Sequence, residues 1–381
     1  MRRQFCAAGS ALLSVHALLA LTSFAIVLLN PAHAVAQDAV IPRTFEPRES
    51  YVAYRISTPL RIDGVLSEGA WAAAPWTNDF VDIEGAAKPR PPLRTRAKML
   101  WDDEYLYIAA ELVEPDVWGT ITQRDSVIFF DNDFEVFIDP DGDTQEYYEL
   151  EINALATVWD LRLTKAYRDG GRALDDWNIT GLLHAVHVDG TINRGRDSDR
   201  GWTVELALPW SLLREYAFEQ RRPRNGEQWR INFSRVEWDA DATDAGYVKR
   251  RNAEGKLLPE HNWVWSPQGA INMHMPERWG TVQFSGRTAG TRTDIVRADP
   301  EEAVRDGLRA LYYAQRRFNE SHRRYATTLA DLAPLIEAAH DEGRVPRDAA
   351  LAVTTTGYRI SARATNGTLH ITEDGRMWRD Q

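Results

Sequence analysis

The sequence predicts a mainly β protein: an antiparallel β-sandwich of the immunoglobulin-like or jelly-roll type, followed by a small α+β domain. Three observations carry that prediction. From about residue 46 to 286, short alternating apolar runs are broken at regular intervals by Asp, Asn and Gly. After residue 299 the apolar residues recur at helical rather than strand spacing. A length of 381 residues suits one large and one small domain, and 14 Trp, 13 Tyr and 12 Phe are enough for a large core.

The first 36 residues are set aside as a secretory signal peptide. Arg2 and Arg3 precede an apolar run from Ala11 to Leu29. Ala32-His33-Ala34 and Ala34-Val35-Ala36 then offer two equivalent cleavage sites with small residues where a signal peptidase reads them. The expected location is secreted or periplasmic. A retained membrane anchor is the rival, since the run nears the length that spans a bilayer; no later segment does. The single cysteine, Cys6, lies inside this leader, so the mature chain would have no disulfide, thiolate metal site or cysteine nucleophile. The net charge is -11 and becomes more negative when Arg2 and Arg3 are lost, which argues against nucleic acid as a partner.

Arg94 to Trp101 and Tyr105 to Val113 alternate around Asp102-Asp103-Glu104, a hairpin signal. Phe134 to Asp139 and Tyr147 to Asn153 form a second, turned by Pro140-Asp141-Gly142-Asp143. Further strands are expected at Val158 to Leu163, Leu182 to Val188, Trp202 to Leu208, Gln228 to Glu237 and Thr281 to Phe284, with one short helix at Pro209 to Tyr216. The sandwich is assigned to residues 44–286 and a linker, rich in Gly, Thr, Arg and Asp, to 287–299. In 300–381, Leu308, Leu311, Tyr312, Phe318 and Tyr325 mark a helix, Leu329 to Leu332 a second, and two strands follow near Tyr358 to Ala364 and Leu369 to Thr372.

An ordered series of motifs resembles the family 9 carbohydrate-binding modules. It comprises Arg61-Ile62-Asp63-Gly64-Val65-Leu66-Ser67-Glu68 with Trp71, Lys98 to Tyr107, Asp131 to Asp139, Tyr148 to Asn153, Trp202 to Trp210, and finally Trp265-Ser266-Pro267 with Arg278-Trp279-Gly280. The resemblance implies a sandwich that grips the terminal sugars of plant polysaccharides without catalysis, often with bound calcium. It departs at the sugar clamp: Phe129 or Phe130 stands at the first ring's place, Met273-His274-Met275 near the second, and Glu151 where a basic residue is expected. The tail is similar to the globular part of type IV pilins in its helix, Gly357-Tyr358-Arg359-Ile360 and Glu373-Asp374-Gly375-Arg376, but it lacks their apolar assembly helix, so no pilus role is read from it.

Strand alternation turns Phe134, Val136, Ile138, Tyr148, Leu150 and Ile152 toward the core. Asp133, Glu135, Glu149, Glu151 and Asn153 then share the other face. Carboxylates, an amide and a guanidinium can bind vicinal sugar hydroxyls, and an aromatic ring can stack on a pyranose face. The expected saccharide-binding residues are Arg96, Glu135, Glu151 and Asn153, with Phe129, Trp177 and Trp265 as stacking rings; Trp118, Trp159 and Trp238 are further candidates. Asp139, Asp141 and Asp143 are candidate calcium ligands, and Asp131 with Asp133 a second set. Two other functions are kept open. Glu135 with Glu151 would be the carboxylate pair if the chain hydrolysed O-glycosyl bonds. Met273-His274-Met275, with His184, His187 or Met99, would be the ligands if it held haem b. A structural cell-envelope role, with a protein partner for the C-terminal domain, is the third.

Overall fold

The computed structural model describes residues 47–195, 197–243, 246–339 and 343–380; the expected signal peptide lies outside them. The chain begins with β1 (Ser50–Arg55), the short helix α1 (Gly69–Ala73), β2 (Val81–Asp82), β3 (Thr95–Trp101), β4 (Tyr105–Val113), β5 (Asp133–Asp139) and β6 (Gln145–Asn153). It continues through β7 (Val158–Lys165), β8 (Ala173–Leu174), β9 (Leu183–Asp189), β10 (Gly201–Pro209), helix α2 (Trp210–Leu213) and β11 (Gln228–Glu237). The hairpin β12 (Ala240–Thr243) and β13 (Gly246–Lys249), then β14 (His261–Val264) and β15 (Gly280–Thr288), complete this part.

One hydrogen-bonded path runs β8-β7-β6-β5-β11-β15-β1-β3-β4-β10-β9, with β14 and β2 branching from β11. Its two halves fold over one another. Phe134, Val136, Leu150, Ile231 and Phe233 from one half share a core with Met99, Ile108, Val204 and Leu206 from the other. The joint between the halves is β1, which runs parallel to both β15 and β3, the exception to an otherwise antiparallel ladder. Parallel pairing joins strands distant in sequence, so no local turn announces it.

Two motifs explain each other here. Glu205 on β10 is wholly buried and accepts hydrogen bonds from Trp71 Nε1 at 2.7 Å and from the backbone N–H groups of Asp63 and Gly64 at 3.0 and 2.8 Å. Gly64 has φ +84°, and a Cβ there would lie 2.6 Å from the backbone nitrogen of His187, so this turn admits glycine alone. In the β3–β4 turn, Asp102 accepts from the N–H of Glu104 and Tyr105, both at 2.8 Å, which sets the hairpin register.

The C-terminal part has helix α3 (Glu302–His322), helix α4 (Leu329–Ala338) and the antiparallel sheet β16 (Ala350–Val353), β17 (Tyr358–Ala364), β18 (Gly367–Thr372) and β19 (Met377–Arg379). Thr328 and Asp331 form a reciprocal capping box at the start of α4. Segment 287–299 is bound along the sandwich: Gln283 donates to the Ile295 carbonyl at 3.0 Å and Gln228 to that of Arg297 at 2.7 Å. Ala270 and Met275 of the sandwich are buried in the same cluster as Leu308, Leu311 and Tyr358. Among the described residues no helix is long and apolar enough to cross a membrane.

Candidate ligand-binding face

The outer face of β5 and β6 is acidic and buried. Phe134, Val136 and Ile138 face the main core, as do Tyr148, Leu150 and Ile152, so the alternation read from the sequence holds. Opposite them stand Asp133, Glu135, Glu149, Glu151 and Asn153, none more than 6% exposed. Glu135 lies directly across from Glu151 in the β5–β6 register. Carboxylate oxygens of Asp133, Glu135 and Glu151 all lie within 4.8 Å of one another. Like charges in direct opposition destabilise a strand pair, and here they are also removed from water. Burial, then the neighbouring carboxylates, push Asp133, Glu149 and Glu151 well above the usual range; burial, opposed by a hydrogen bond from Ser234 and joined by Glu260, pushes Glu135 to about 7. Asp133 Oδ2 and Glu135 Oε2 make no hydrogen bond.

The rim at one end of this face is aromatic. A short 3-10 turn, Ile128–Phe130, leads into β5; its Phe129 N–H donates to Glu151 at 2.9 Å, and the Phe129 carbonyl accepts from Trp238 Nε1 at 2.8 Å. Trp118, Val236 and Trp238 form a buried cluster with Phe129 and Tyr247 packed on it. Lys249, at the end of β13, places its ammonium 3.4 Å from the centre of the Trp238 ring, with Phe130 at 5.7 Å and Trp118 at 5.9 Å. Burial lowers this lysine to about 8. Phe130 is 49% exposed, whereas Phe129 is half-buried, so Phe130 is the ring a ligand can reach. Sequence reasoning missed Lys249, because the β12–β13 hairpin that delivers it has no alternating apolar pattern.

A second acidic group occupies the β5–β6 turn. Oxygens of Asp139, Asp141 and Asp143 lie within 4.8 Å of one another. Asp139 accepts from the N–H of Gly142 and Thr144, both at 3.0 Å, and Asp143 from that of Gln145 at 2.7 Å. Burial raises all three; repulsion from neighbouring aspartates adds to it at Asp139 and at Asp143, which reaches about 7, while hydrogen bonds from Asp139 and the Asp143 backbone oppose it at Asp141. An all-oxygen set of this kind fits calcium.

Several expected site residues stand elsewhere. Trp265 is 1% exposed and wedged between Tyr51, Phe233 and Gly280, so it is a core residue and not a platform. Trp177 stacks on Tyr148, on the core side of β6, with Arg162 above it, and does not share the face of Glu135. Arg96 belongs to the other half of the sandwich, where it pairs with Glu111 and lies 4.2 Å from the Trp76 ring. Asn153 is on the correct face, but its amide is consumed by Ile121, Asp131, Leu155 and Thr157. Asp131 is likewise saturated by Thr120, Ile121 and Asn153, which leaves Asp133 without it as a metal partner. The residues named as haem ligands lie apart from one another. His274 is buried against Tyr147, Tyr167 and Phe137, Met275 is core, Met99 is in the sandwich interior, and His184 and His187 are on β9 at the far edge of the ladder.

A two-layer β-sandwich with a recessed polar face and an aromatic rim is the architecture of a ligand-binding module. The profile of the carbohydrate family 9 binding domain-like family matches residues 62–287, and the chain belongs to that family. Part of it is similar to exoglucanase XynX of Acetivibrio thermocellus, 28% identical over 118 residues, which are 31% of this chain and 9% of that protein. The chain thus spans only a small part of that relative. Among solved structures, a family 9 carbohydrate-binding module of Caldicellulosiruptor kristjanssonii in complex with cellotriose is similar over 65% of this chain and 99% of the other, at 15% identity and a TM-score of 0.39. A protein of Bacteroides uniformis is similar over 63% of this chain and 100% of the other, at 16% identity and a TM-score of 0.42.

Proposed function

We propose that this protein is an exported, non-catalytic saccharide-binding protein that takes a plant-type oligo- or polysaccharide in carbohydrate catabolism. The observation that carries this is the family match across residues 62–287. The family 9 module of Caldicellulosiruptor kristjanssonii was solved in complex with cellotriose and with glucose. The exposed Phe130 ring stacks on a sugar ring, with Lys249 as hydrogen-bond donor beside it and the β5–β6 carboxylates below. Glu135 and Glu151 are 5% and 2% exposed, which leaves no open cleft between them for a glycosidic bond, and binding is favoured over hydrolysis. The Asp139–Asp143 turn would hold calcium and stiffen the loop against the C-terminal part, whose Gly375 carbonyl accepts from Thr144. The signal-like residues 1–36 support a secreted or periplasmic location. The pilin-like helix and sheet of the tail would then face a protein partner.

Calorimetric titration of the mature chain with cello-oligosaccharides tests this. Saturable binding weakened about tenfold by Phe130→Ala, without loss of thermal stability, is expected. Absence of binding across neutral plant oligosaccharides, in calcium, would overturn it.

A further inference from the structure

We infer that the seam between the sandwich and the C-terminal part holds a small monovalent anion, of chloride type, in a cavity of about 30 Å³ bounded by Arg48, Thr144, Arg230, Glu302, Asp306 and Arg309. Arg309, on α3, carries the argument. The residue is 2% exposed, and its guanidinium makes one hydrogen bond, from Nη2 to the Thr144 hydroxyl at 3.2 Å. Its Nε and Nη1 are buried without an acceptor, and among the described residues no carboxylate pairs with the group. The Tyr312 ring, 5.1 Å away, offers a π face but no lone pair to these N–H groups. A buried donor without an acceptor is costly, and a buried charge without a counter-charge more so.

The charges around the cavity leave a positive excess. Arg48 bridges Asp306 and Glu302, and Arg230 reaches the same Glu302 at 2.8 Å. Glu277 also borders the cavity, but Arg168 and Tyr313 hold its carboxylate. At the rim Arg305 faces Asp299 at 3.5 Å, and Arg344 approaches Asp306 at 3.8 Å. Arg278, 1% exposed, adds another positive charge, which burial and repulsion from Arg48 lower to about 10. The buried guanidiniums of Arg48, Arg230, Arg278 and Arg309 are thus set against only Glu302 and Asp306. A water would supply an acceptor but no charge; an anion supplies both. Size then selects among anions. The space suits one or two water-sized particles, so a halide fits where a sulfate or a sugar carboxylate would have to move the walls. An open cleft of about 330 Å³ shares Arg48 and Glu302 with the cavity and gives the ion a route from solvent. Because Arg309 belongs to α3 while Thr144 and Arg230 belong to the sandwich, the ion would tie the two parts together. The site lies apart from the Phe130 rim and does not rest on the saccharide reading.

The test follows thermal unfolding of the mature chain while chloride replaces methanesulfonate at constant ionic strength, so that screening is unchanged. Wild type should melt about 2–5 °C higher once chloride exceeds its dissociation constant about tenfold, and the rise should saturate. Arg309→Met, which removes the excess charge and the unmatched N–H groups, should lose that response. Crystals of wild type grown in bromide should give an anomalous peak beside Arg309, a readout that stands even if the variant fails to fold. No chloride-specific rise in wild type, together with no bromide peak, would overturn the site and leave a water in the cavity. A rise of the same size in Arg309→Met would also overturn it, since the effect would then belong to the solvent and not to this site.

Discussion

At the scale of residues, burial separates the aromatic side chains that hold the molecule together from those that can meet a ligand. Trp265 fills the space over Gly280, where an added Cβ would come within 2.5 Å of its ring. Trp265→Ala should therefore cost about 3–5 kcal/mol in urea unfolding, the range for removing a buried aromatic. Phe130→Ala, at an exposed ring, should move stability by less than about 0.5 kcal/mol while weakening saccharide binding. If the two variants behaved alike, the division of the aromatic residues would be wrong. Gly64 makes a sharper case. Its φ of +84° and the 2.6 Å approach to the His187 backbone leave no relaxed place for a methyl group, so Gly64→Ala should destabilise by more than about 1 kcal/mol.

At the scale of elements, the strands legible in the sequence are those whose alternation is enforced by one dry face and one polar face. The β3–β4 and β5–β6 hairpins and β11 were such strands, and even the sidedness of Asp133, Glu135, Glu149 and Glu151 followed from period two. What the sequence could not show is how deep that polar face lies. Beside it lie the turn before β5, whose Phe129 N–H donates to Glu151, and two segments distant in sequence, Lys249 of the β12–β13 hairpin and Tyr167. Arg96 was expected on the same polar face, but pairing of β3 with β4 puts it on another surface; Trp177 was expected as a platform from the loop after β8, but it stacks on Tyr148. Trp265 was misread because a Trp before Ser-Pro looks like a strand end in one dimension and is core in three. The strands β1, β12, β13 and β14 escaped detection through brevity or parallel pairing.

At the scale of the whole molecule, the sandwich and the C-terminal part are joined by a buried ionic seam. Arg168, beside β7, donates to both carboxylate oxygens of Glu277 at 3.0 and 2.9 Å and to the His274 carbonyl at 2.7 Å. From α3, Tyr313 donates to the same Glu277 and Arg316 pairs with Asp169 at 2.9 Å. Breaking a buried pair strands a charge, so Arg168→Met should cost about 3–5 kcal/mol and lower the unfolding temperature of both parts together. The same seam makes stability depend on acid. Burial pushes the Glu277 carboxyl up, but Arg168, Arg309 and the Tyr313 hydroxyl outweigh it and hold it at about 2. Its stabilising effect is complete above its usual 4.5 and is lost as pH falls toward 2. Burial, helped by Arg168, lowers His274 to about 3. The unfolded chain therefore takes up a proton near 6.5 that the folded chain refuses, and stability again falls with pH, here between 6.5 and 3. His274→Asn removes this second effect and leaves the first. Thermal unfolding of wild type and variant should thus have different slopes from pH 6.5 down to about 3, the variant's stability falling mainly below 4.5 and the two slopes converging only below about 3; parallel curves throughout would show that His274 already titrates normally in the folded protein.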